Sequence, residues 1–295
     1  MWVQSFIEYL KFERNYSART VKVYEDDLRT FESYFRKKDS MLNWNTVDTD
    51  IVRDWMAFLM DAGQAATSVN RRLSTLRSYY KFLLMRGWIT EDPVRNIQGP
   101  KKKKALPAFL KEREINGLLD GCYFGDDFFG KRDRLIIDMF YSTGIRLSEL
   151  TGLDEEDVDF YGGVLKVTGK RNKQRIVPFG KELRGLLETY IAQKHILFDG
   201  KSVDPALFVD DKGERMKNIV VWRLVRHYLG MVTTQYKKSP HVLRHTFATS
   251  MLNHDADLEV LKELLGHESI STTEIYTHTT FEELKEMYNK AHPRA

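Results

Sequence analysis

Six side chains of this sequence have the types and spacing to attack a phosphate ester. His241, Arg244, His267 and Tyr276 fall within one short segment, P-H-V-L-R-H-T-F-A-T followed by L-L-G-H and I-Y-T-H. Arg146 lies far upstream in S-T-G-I-R-L-S-E-L, and Lys170 in V-T-G-K-R-N-K-Q-R-I-V-P. A phosphodiester carries one negative charge, and attack at phosphorus adds a second on the non-bridging oxygens, which donors already in place must meet. Arginine suits this task because its fork donates two parallel hydrogen bonds and stays protonated. Arg146 and Arg244 would therefore clamp the phosphate, with His267 donating a further bond. His241 can donate too, or take the nucleophile's proton. The phenol of Tyr276, with an ordinary pKa of about 10, needs such help to attack. Lys170 suits the proton donor to the leaving oxygen, because neighbouring cations lower a lysine's pKa. This route calls for no metal and no nucleotide cofactor; there is no Walker phosphate loop and no acid cluster suited to a two-metal site.

Taken singly, each of these residues has a bland reading, since a lone Arg, Lys or Tyr is usually surface. His241 and His245, four apart on a helix, have the spacing of two zinc ligands. No third ligand stands at a familiar distance, and the one cysteine, Cys122, does not supply it. His195, His254 and His278 read as surface or packing residues. Glu149, three positions after Arg146, either holds that arginine from behind or is simply solvated.

The elements that must position these groups follow from periodicity. The first hundred residues predict four amphipathic helices. Val3–Arg14 carries Phe6, Tyr9 and Leu10, and a helix capped by Ser17 carries Val21, Tyr24, Leu28, Phe31 and Phe35 at spacings of 3, 4, 3 and 4. A third spans about Asp50–Met60 with Ile51, Trp55, Phe58 and Leu59, and a fourth puts Val69, Leu73, Leu76, Tyr80 and Leu83 on one side and ends at Gly87. Four such stripes can be buried only on one another, which predicts a small helical bundle. The other side of the fourth helix shows Asn70, Arg71, Arg72, Ser74, Arg77, Ser78 and Lys81, with no acid between Asn70 and Lys81. A face of one sign repels itself unless a polyanion neutralises it, so nucleic acid is favoured there over a merely solvated surface.

Between Asp92 and Pro107 prolines, a glycine and four lysines, Lys101, Lys102, Lys103 and Lys104, break the pattern. This gives a helical DNA-binding domain at 1–96, a basic linker at 97–108 and a second domain at 109–295. The second domain reads as mixed. Helices are expected at Lys111–Asp120, Arg132–Ser142, Lys181–Ile191, Ile219–Leu229, Asp257–Leu265 and Phe281–Ala291. A short helix is expected to begin at Arg146, another to open at His241, and a third, capped by Ser271, to carry Tyr276. V-L-K-V-T and Q-R-I-V-P form a hairpin around G-K-R-N-K, which puts Lys170, Arg171 and Lys173 at its turn. A-L-F-V-D-D-K-G reads as a strand entering a turn. The fold class is therefore mainly α with a small antiparallel sheet.

Composition sets outer bounds. The chain has 295 residues, 42% hydrophobic and 30% charged, with a formal net charge of +4 and a pI near 8.9. Nucleic acid is thus a permitted partner. From Ile51 to Ala105, eleven Lys or Arg stand against four Asp or Glu. A single cysteine rules out an intrachain disulfide, and neither a secretory signal nor a membrane span is expected, so the reading is of a cytoplasmic protein with no membrane partner.

The set R-L-S-E-L, G-K-R-N-K-Q-R-I-V-P, H-V-L-R-H-T-F-A-T, L-L-G-H and I-Y-T-H resembles the tyrosine recombinase (phage integrase) family, and within it the Xer-type site-specific recombinases. N-R-R-L-S-T-L-R-S-Y-Y-K-F-L is similar to the DNA-facing helix of that family's SAM-like core-binding domain. The resemblance implies Arg146, Lys170, His241, Arg244 and His267 as the catalytic pocket and Tyr276 as the nucleophile. It implies a 3′-phosphotyrosyl intermediate, a free 5′ hydroxyl and a Holliday junction, with four protomers, or this protein and a paralogue, on two double-stranded DNA sites. It also implies that the helix at 281–291 docks on a neighbouring protomer. Arg171 departs mildly from the pattern, standing where similar proteins often have glycine, and would stiffen the hairpin. Chromosome or plasmid dimer resolution is the expected role. The alternatives are an integrase or transposase of a mobile element, for which the start directly at the first helix speaks less well, a simple topoisomerase, and a DNA-binding protein without catalysis.

Overall fold

Helix α4 (Ala66–Met85) is the N-terminal helix whose apolar side is most completely covered: Val69, Leu73, Leu76, Tyr80 and Leu83, the five positions of its expected stripe, are all buried. In the computed structural model, which describes residues 1–101, 108–169, 172–200, 204–266 and 281–295, the chain divides into two units, Met1–Ala105 and Leu106–Ala295. In the first unit α1 (Trp2–Glu8) runs on as a π-helical turn, Tyr9–Glu13, and is followed by α2 (Ala18–Lys38), α3 (Thr49–Asp61) and α4. The Ser17 hydroxyl accepts from the Thr20 amide at 3.3 Å and so caps α2. Helix α3 begins a residue earlier than its apolar pattern indicates, because the Asp48 carboxylate accepts from the Ile51 amide at 2.9 Å. Phe58, expected on the buried stripe of α3, is 54% exposed, and Met56 is buried instead.

The interior of this unit is largely aromatic. Phe31 is fully buried, with ring centroids 4.7 Å from Trp55, 5.4 Å from Phe35 and 5.8 Å from Trp44. Tyr79 meets Trp44 at 4.7 Å and Phe6 at 5.2 Å, both edge to face. Such pairs add to burial because the ring edge is positive and the face negative.

The second unit is built on α6 (Phe128–Thr143). Every residue from Leu135 to Ile145 is buried, so α6 has no solvent face along its C-terminal half. Helices α8 (Lys181–Leu197) and α10 (Pro240–Asn253) pack on it. Helices α5 (Glu112–Asp120) and α9 (Asn218–Val232) pair with each other, and the four-residue α7 (Leu147–Leu150) lies between Arg146 and the sheet. The sheet is antiparallel, β1 (Val158–Asp159), β2 (Val164–Thr168) and β3 (Gln174–Pro178), with Val167 opposite Arg175 and Thr168 opposite Gln174. β1 was not foreseen; two residues are too few to show a period. The expected strand at A-L-F-V is not one: the segment makes only single bridges, Ala206 to Asp154 and Val209 to Arg215. Its four residues are all buried, which mimics a core strand in a sequence.

Helix α11 (Leu258–Leu265) and α12 (Phe281–Ala291) complete the unit with a small core of their own. Leu284, Tyr288 and Ala291 of α12 are buried, and α12 packs on α10, α11 and β3 of the same chain. The His292 ring stacks 5.3 Å from Tyr288 and, being buried, has its pKa pushed down to about 4. Among the described residues no helix is long and apolar enough to cross a membrane.

Replacing Phe31 by Ala should remove about 3–5 kcal/mol from the first unit. Trp2, Trp44, Trp55 and Trp88 all lie in that unit, so urea melts followed by tryptophan fluorescence will read the loss; a shift corresponding to less than about 1 kcal/mol would show that the ring cluster is not what holds the unit together.

Candidate active site

An α-helix leaves its last carbonyls without intrahelical donors and carries partial negative charge at that end. Helix α11 ends at Gly266, whose φ of 60° and ψ of 49° put it in the left-handed region where glycine is favoured. Three consecutive carbonyls there accept from three different arginines. Leu264 O receives Arg175 Nε at 2.8 Å, Leu265 O receives Arg244 Nη2 at 2.5 Å, and Gly266 O receives Arg146 Nη2 at 2.9 Å. The chain thus brings Arg146 and Arg244, distant in sequence, onto adjacent peptide groups. The residue that follows is His267.

Each arginine is anchored a second time. Arg244 on α10 donates through Nη1 to Gly144 O at 2.6 Å. Gly144 closes α6 with φ of 61°, and a Cβ there would fall 2.4 Å from the ring of Phe247, so both its backbone and its neighbour demand glycine. Arg146 is the N-cap of α7; its amide donates to Glu149 Oε2 at 2.7 Å and its Nη1 to Oε1 at 2.7 Å. Arg175 donates to the same carboxylate through both terminal nitrogens, each at 2.9 Å.

Glu149 is therefore not solvated. It is 2% exposed and holds two guanidinium groups. Burial would push its pKa up, but the bonds and charges of Arg175 and Arg146 outweigh that and hold it at about 2. Arg244 is buried, and burial with the charge of Arg146 lowers its pKa to about 10, which still leaves it protonated at neutral pH.

His241 and His245 are exposed on the first turns of α10. Partial burial and the neighbouring His241, Arg244 and Lys237 hold the His245 imidazole below its ordinary value. Among the described residues no group of three or more His, Cys, Asp or Glu side chains is placed to hold a metal ion. Lys170, His267 and Tyr276 lie outside the described residues, as do Arg171, Lys102, Lys103, Lys104 and the helix expected after Ser271. The hairpin that carries Lys170 is closed by a 2.7 Å bond from the Gly169 amide to Lys173 O, with Asn172 at φ of 60°.

The candidate DNA-contacting side chains of α4 divide by their partners. Arg71, Ser74, Arg77 and Lys81 are exposed along one line, while Asn70, Arg72 and Ser78 are half-buried. Asn70 donates to Ala66 O and Pro100 O, and Arg77 to Ile97 O. Arg71 forms a forked pair with the buried Asp27 of α2, which also takes Thr75 Oγ1 at 2.9 Å and lies 3.7 Å from Arg72 Nε. The acid-free face thus has an acid beneath it, supplied by another helix. Lys101 and Lys173 are exposed.

A second acid-free surface is not apparent from helical periodicity. From Arg215 to His254 there is no Asp or Glu. Ile219, Val220, Arg223, Arg226 and His227 form the open face of α9. Beside them lies a concavity of about 750 Å³ whose walls include Trp222, Gln235, Tyr236 and Lys238. The Arg226 guanidinium sits 5.4 Å over the Trp222 ring. The sequence signal that marks this surface is the long run without an acid.

Residues 108–283 match the phage integrase family, and residues 3–87 match the phage integrase N-terminal SAM-like domain. The chain is 39% identical to the tyrosine recombinase XerC of Chlorobaculum tepidum over 318 aligned positions, which cover 100% of this chain and 95% of that one. It is 40% identical to the tyrosine recombinase XerC of Natranaerobius thermophilus over 294 positions, 98% of each chain. Among solved structures, the XerH site-specific recombinase bound to palindromic difH substrate matches with a TM-score of 0.73 at 22% identity, covering 96% of this chain and 83% of that one. That likeness is one of fold.

Changing Glu149 to Gln leaves two arginines without their counter-charge and should cost about 3–5 kcal/mol in denaturant melts of the full chain. Because the Glu149 pKa falls from 4.5 to about 2 on folding, its ionic contribution is complete above pH 4.5 and fades as pH drops towards 2. The gap between the two proteins should therefore be level from pH 5 to 8 and narrow below 4.5; a gap that widened on acidification would contradict the pairing.

Proposed function

Since this chain belongs to the phage integrase family of tyrosine recombinases, we propose that it performs Xer-type site-specific recombination with Tyr276 as nucleophile and Arg146, Lys170, His241, Arg244 and His267 around the scissile phosphate. The observation that carries this reading is the double anchoring of Arg146 and Arg244 on Gly266 and Leu265, immediately before His267. A guanidinium has five N–H groups, so anchoring through some of them is compatible with gripping a phosphate through others. The Tyr276 oxygen bonds to phosphorus while the bond from phosphorus to the 5′ oxygen breaks. The phenolic proton passes to His241, and Lys170 gives a proton to the departing 5′ oxygen. The products are a 3′-phosphotyrosyl ester and a 5′ hydroxyl. Attack by the 5′ hydroxyl of a second duplex reverses each transfer and rejoins the strand. The ester retains the energy of the broken bond, so religation needs no nucleotide.

The substrate is double-stranded DNA, exchanged between two sites by four protomers or by this protein with a paralogue, through a Holliday junction. Resolution of chromosome or plasmid dimers in the cytoplasm fits relatives named XerC that match over nearly their whole length. Contacts to the duplex would come from the exposed line Arg71, Ser74, Arg77 and Lys81, from Lys101–Lys104, from Arg171 and Lys173, and from the acid-free face of α9. In such an assembly α12, whose stripe Leu284, Tyr288 and Ala291 covers its own unit in the single chain, would dock on the neighbouring protomer.

Tyr276→Phe should still bind a duplex selected by the unaltered chain from random sequence but leave no covalent adduct on a nicked version of it; an adduct formed by that variant would refute the assignment. Arg223→Ala with Arg226→Ala should weaken binding and reduce the slope of log affinity against log salt by about one for each phosphate no longer neutralised. An unchanged slope in a fluorescence-anisotropy titration would remove α9 from the DNA interface.

A further inference from the structure

We infer that Arg175, which no part of the proposed chemistry uses, is a positioning residue: it locks the hairpin carrying Lys170 to the end of α11 and, through Glu149, fixes Arg146. The inference rests on the recombinase reading of the site and adds a residue to it.

Arg175 stands on β3, across from Val167, with only 15% of its side chain exposed. Its guanidinium bonds reach two other elements. Nε meets Leu264 O at the end of α11, and the two terminal nitrogens meet the two oxygens of Glu149 on α7. Two parallel N–H donors facing a carboxylate with a third donor at the side is a geometry only the planar guanidinium fork supplies; a lysine ammonium is a point charge on a flexible stem. The fit extends to the backbone. A Cβ on Gly266 would stand 3.2 Å from Arg175 Cδ and 3.3 Å from Nε and Nη1, so the guanidinium lies against the bare Cα of the helix cap.

This joint is electrostatically costly if it serves only to hold the fold together. It adds a third guanidinium beside Arg146 and Arg244, and its charge helps to depress the pKa of Arg244. An apolar contact between β3 and α11 would join the same elements without that repulsion. What the charged fork provides is direction. Glu149 has its two oxygens drawn to Arg175, and the same two oxygens receive the amide and Nη1 of Arg146. Arg146 is thereby held in one rotamer. Arg175 also lies five residues after Lys170 on a two-stranded hairpin, so its bond to Leu264 ties the tip's base to the segment that leads into His267. Its own donors face the carboxylate and the carbonyl, which makes it a positioning residue and not a catalytic one.

The test uses the full chain and a nicked duplex carrying the site it selects. Adduct formation is timed over a range of DNA concentrations. Arg175→Lys should lower the rate at saturating DNA at least tenfold, while the half-saturating concentration stays within about twofold and the urea midpoint is little changed. Arg175→Gln and Glu149→Gln combined should lose clearly less than the sum of the two single losses, because part of the arginine's action runs through that carboxylate and only the Leu264 bond remains to be lost. If Arg175→Lys proves unstable, Arg175→Ala assayed below its melting transition should be accelerated by millimolar methylguanidinium, which returns the fork. Wild-type rates at saturation for Arg175→Lys, strictly additive losses in the double variant, or a rate loss that follows the urea midpoint would each overturn the inference. Lack of adduct from the unaltered chain would overturn the recombinase reading itself; a normal unaltered chain with an undiminished Arg175→Lys overturns this inference alone.

Discussion

Three like charges drawn to one helix terminus are the constraint on which the second unit depends. Arg146, Arg175 and Arg244 come from three different elements, and each donates to a different carbonyl among Leu264, Leu265 and Gly266. Guanidinium groups this close repel one another strongly wherever water is excluded. The opposing attractions are the negative end of α11 and the buried carboxylate of Glu149. The balance is visible in the depressed pKa of both Glu149 and Arg244.

Such a cluster needs rigid surroundings, because a side chain free to rotate would relieve the repulsion by moving apart. The rigidity comes from α6, buried on all sides from Leu135 onwards, and from Gly144 at its end. Gly144 turns the chain so that Arg146 caps α7, and its own carbonyl takes Arg244. One left-handed glycine therefore sets two arginines. Gly266 does the corresponding work at α11, offering a carbonyl to Arg146 and a bare Cα to Arg175. The hairpin enters through Arg175 alone among its described guanidiniums, which is why a residue without a direct chemical role occupies the middle of the arrangement.

Much of this was legible from residue order. The stripes on α2 and α4, the Ser17 cap, the hairpin from Val164 to Pro178 and the stop at Gly266 all depend on neighbours within a few positions, where periodicity and turn chemistry act. The Arg146–Glu149 bond spans three residues and was one of two readings open for that carboxylate. What could not be read depends on long separations. Arg175 meets Leu264 across 89 positions, and Asp27 meets Arg71 across 44, and no local pattern announces either. The Asp27 pairing shows the danger of reading a helix in isolation: the face of α4 has one sign along its own sequence and a compensating charge from α2. The buried run at Ala206–Val209 misled for a related reason, since complete burial erases the alternation that marks a strand.

Under the proposed function, the charge count at the cluster also bears on which state of a phosphate would be favoured there. Three guanidiniums against one carboxylate leave a net of two positive charges among these four groups. A phosphodiester brings one negative charge, and the five-coordinate state reached on attack brings two. In the proposed pocket these four groups alone would be under-neutralised by a bound ester and would favour the more highly charged state that follows. Because the cluster's dipoles and charges are fixed beforehand by Gly144, Gly266 and Glu149, little reorganisation would be needed in the proposed reaction as the second charge develops. Interactions that strengthen only at that point lower the barrier, whereas those equally strong in both states would merely tighten binding. On this account Glu149 matters as much for the charge it limits as for the geometry it holds.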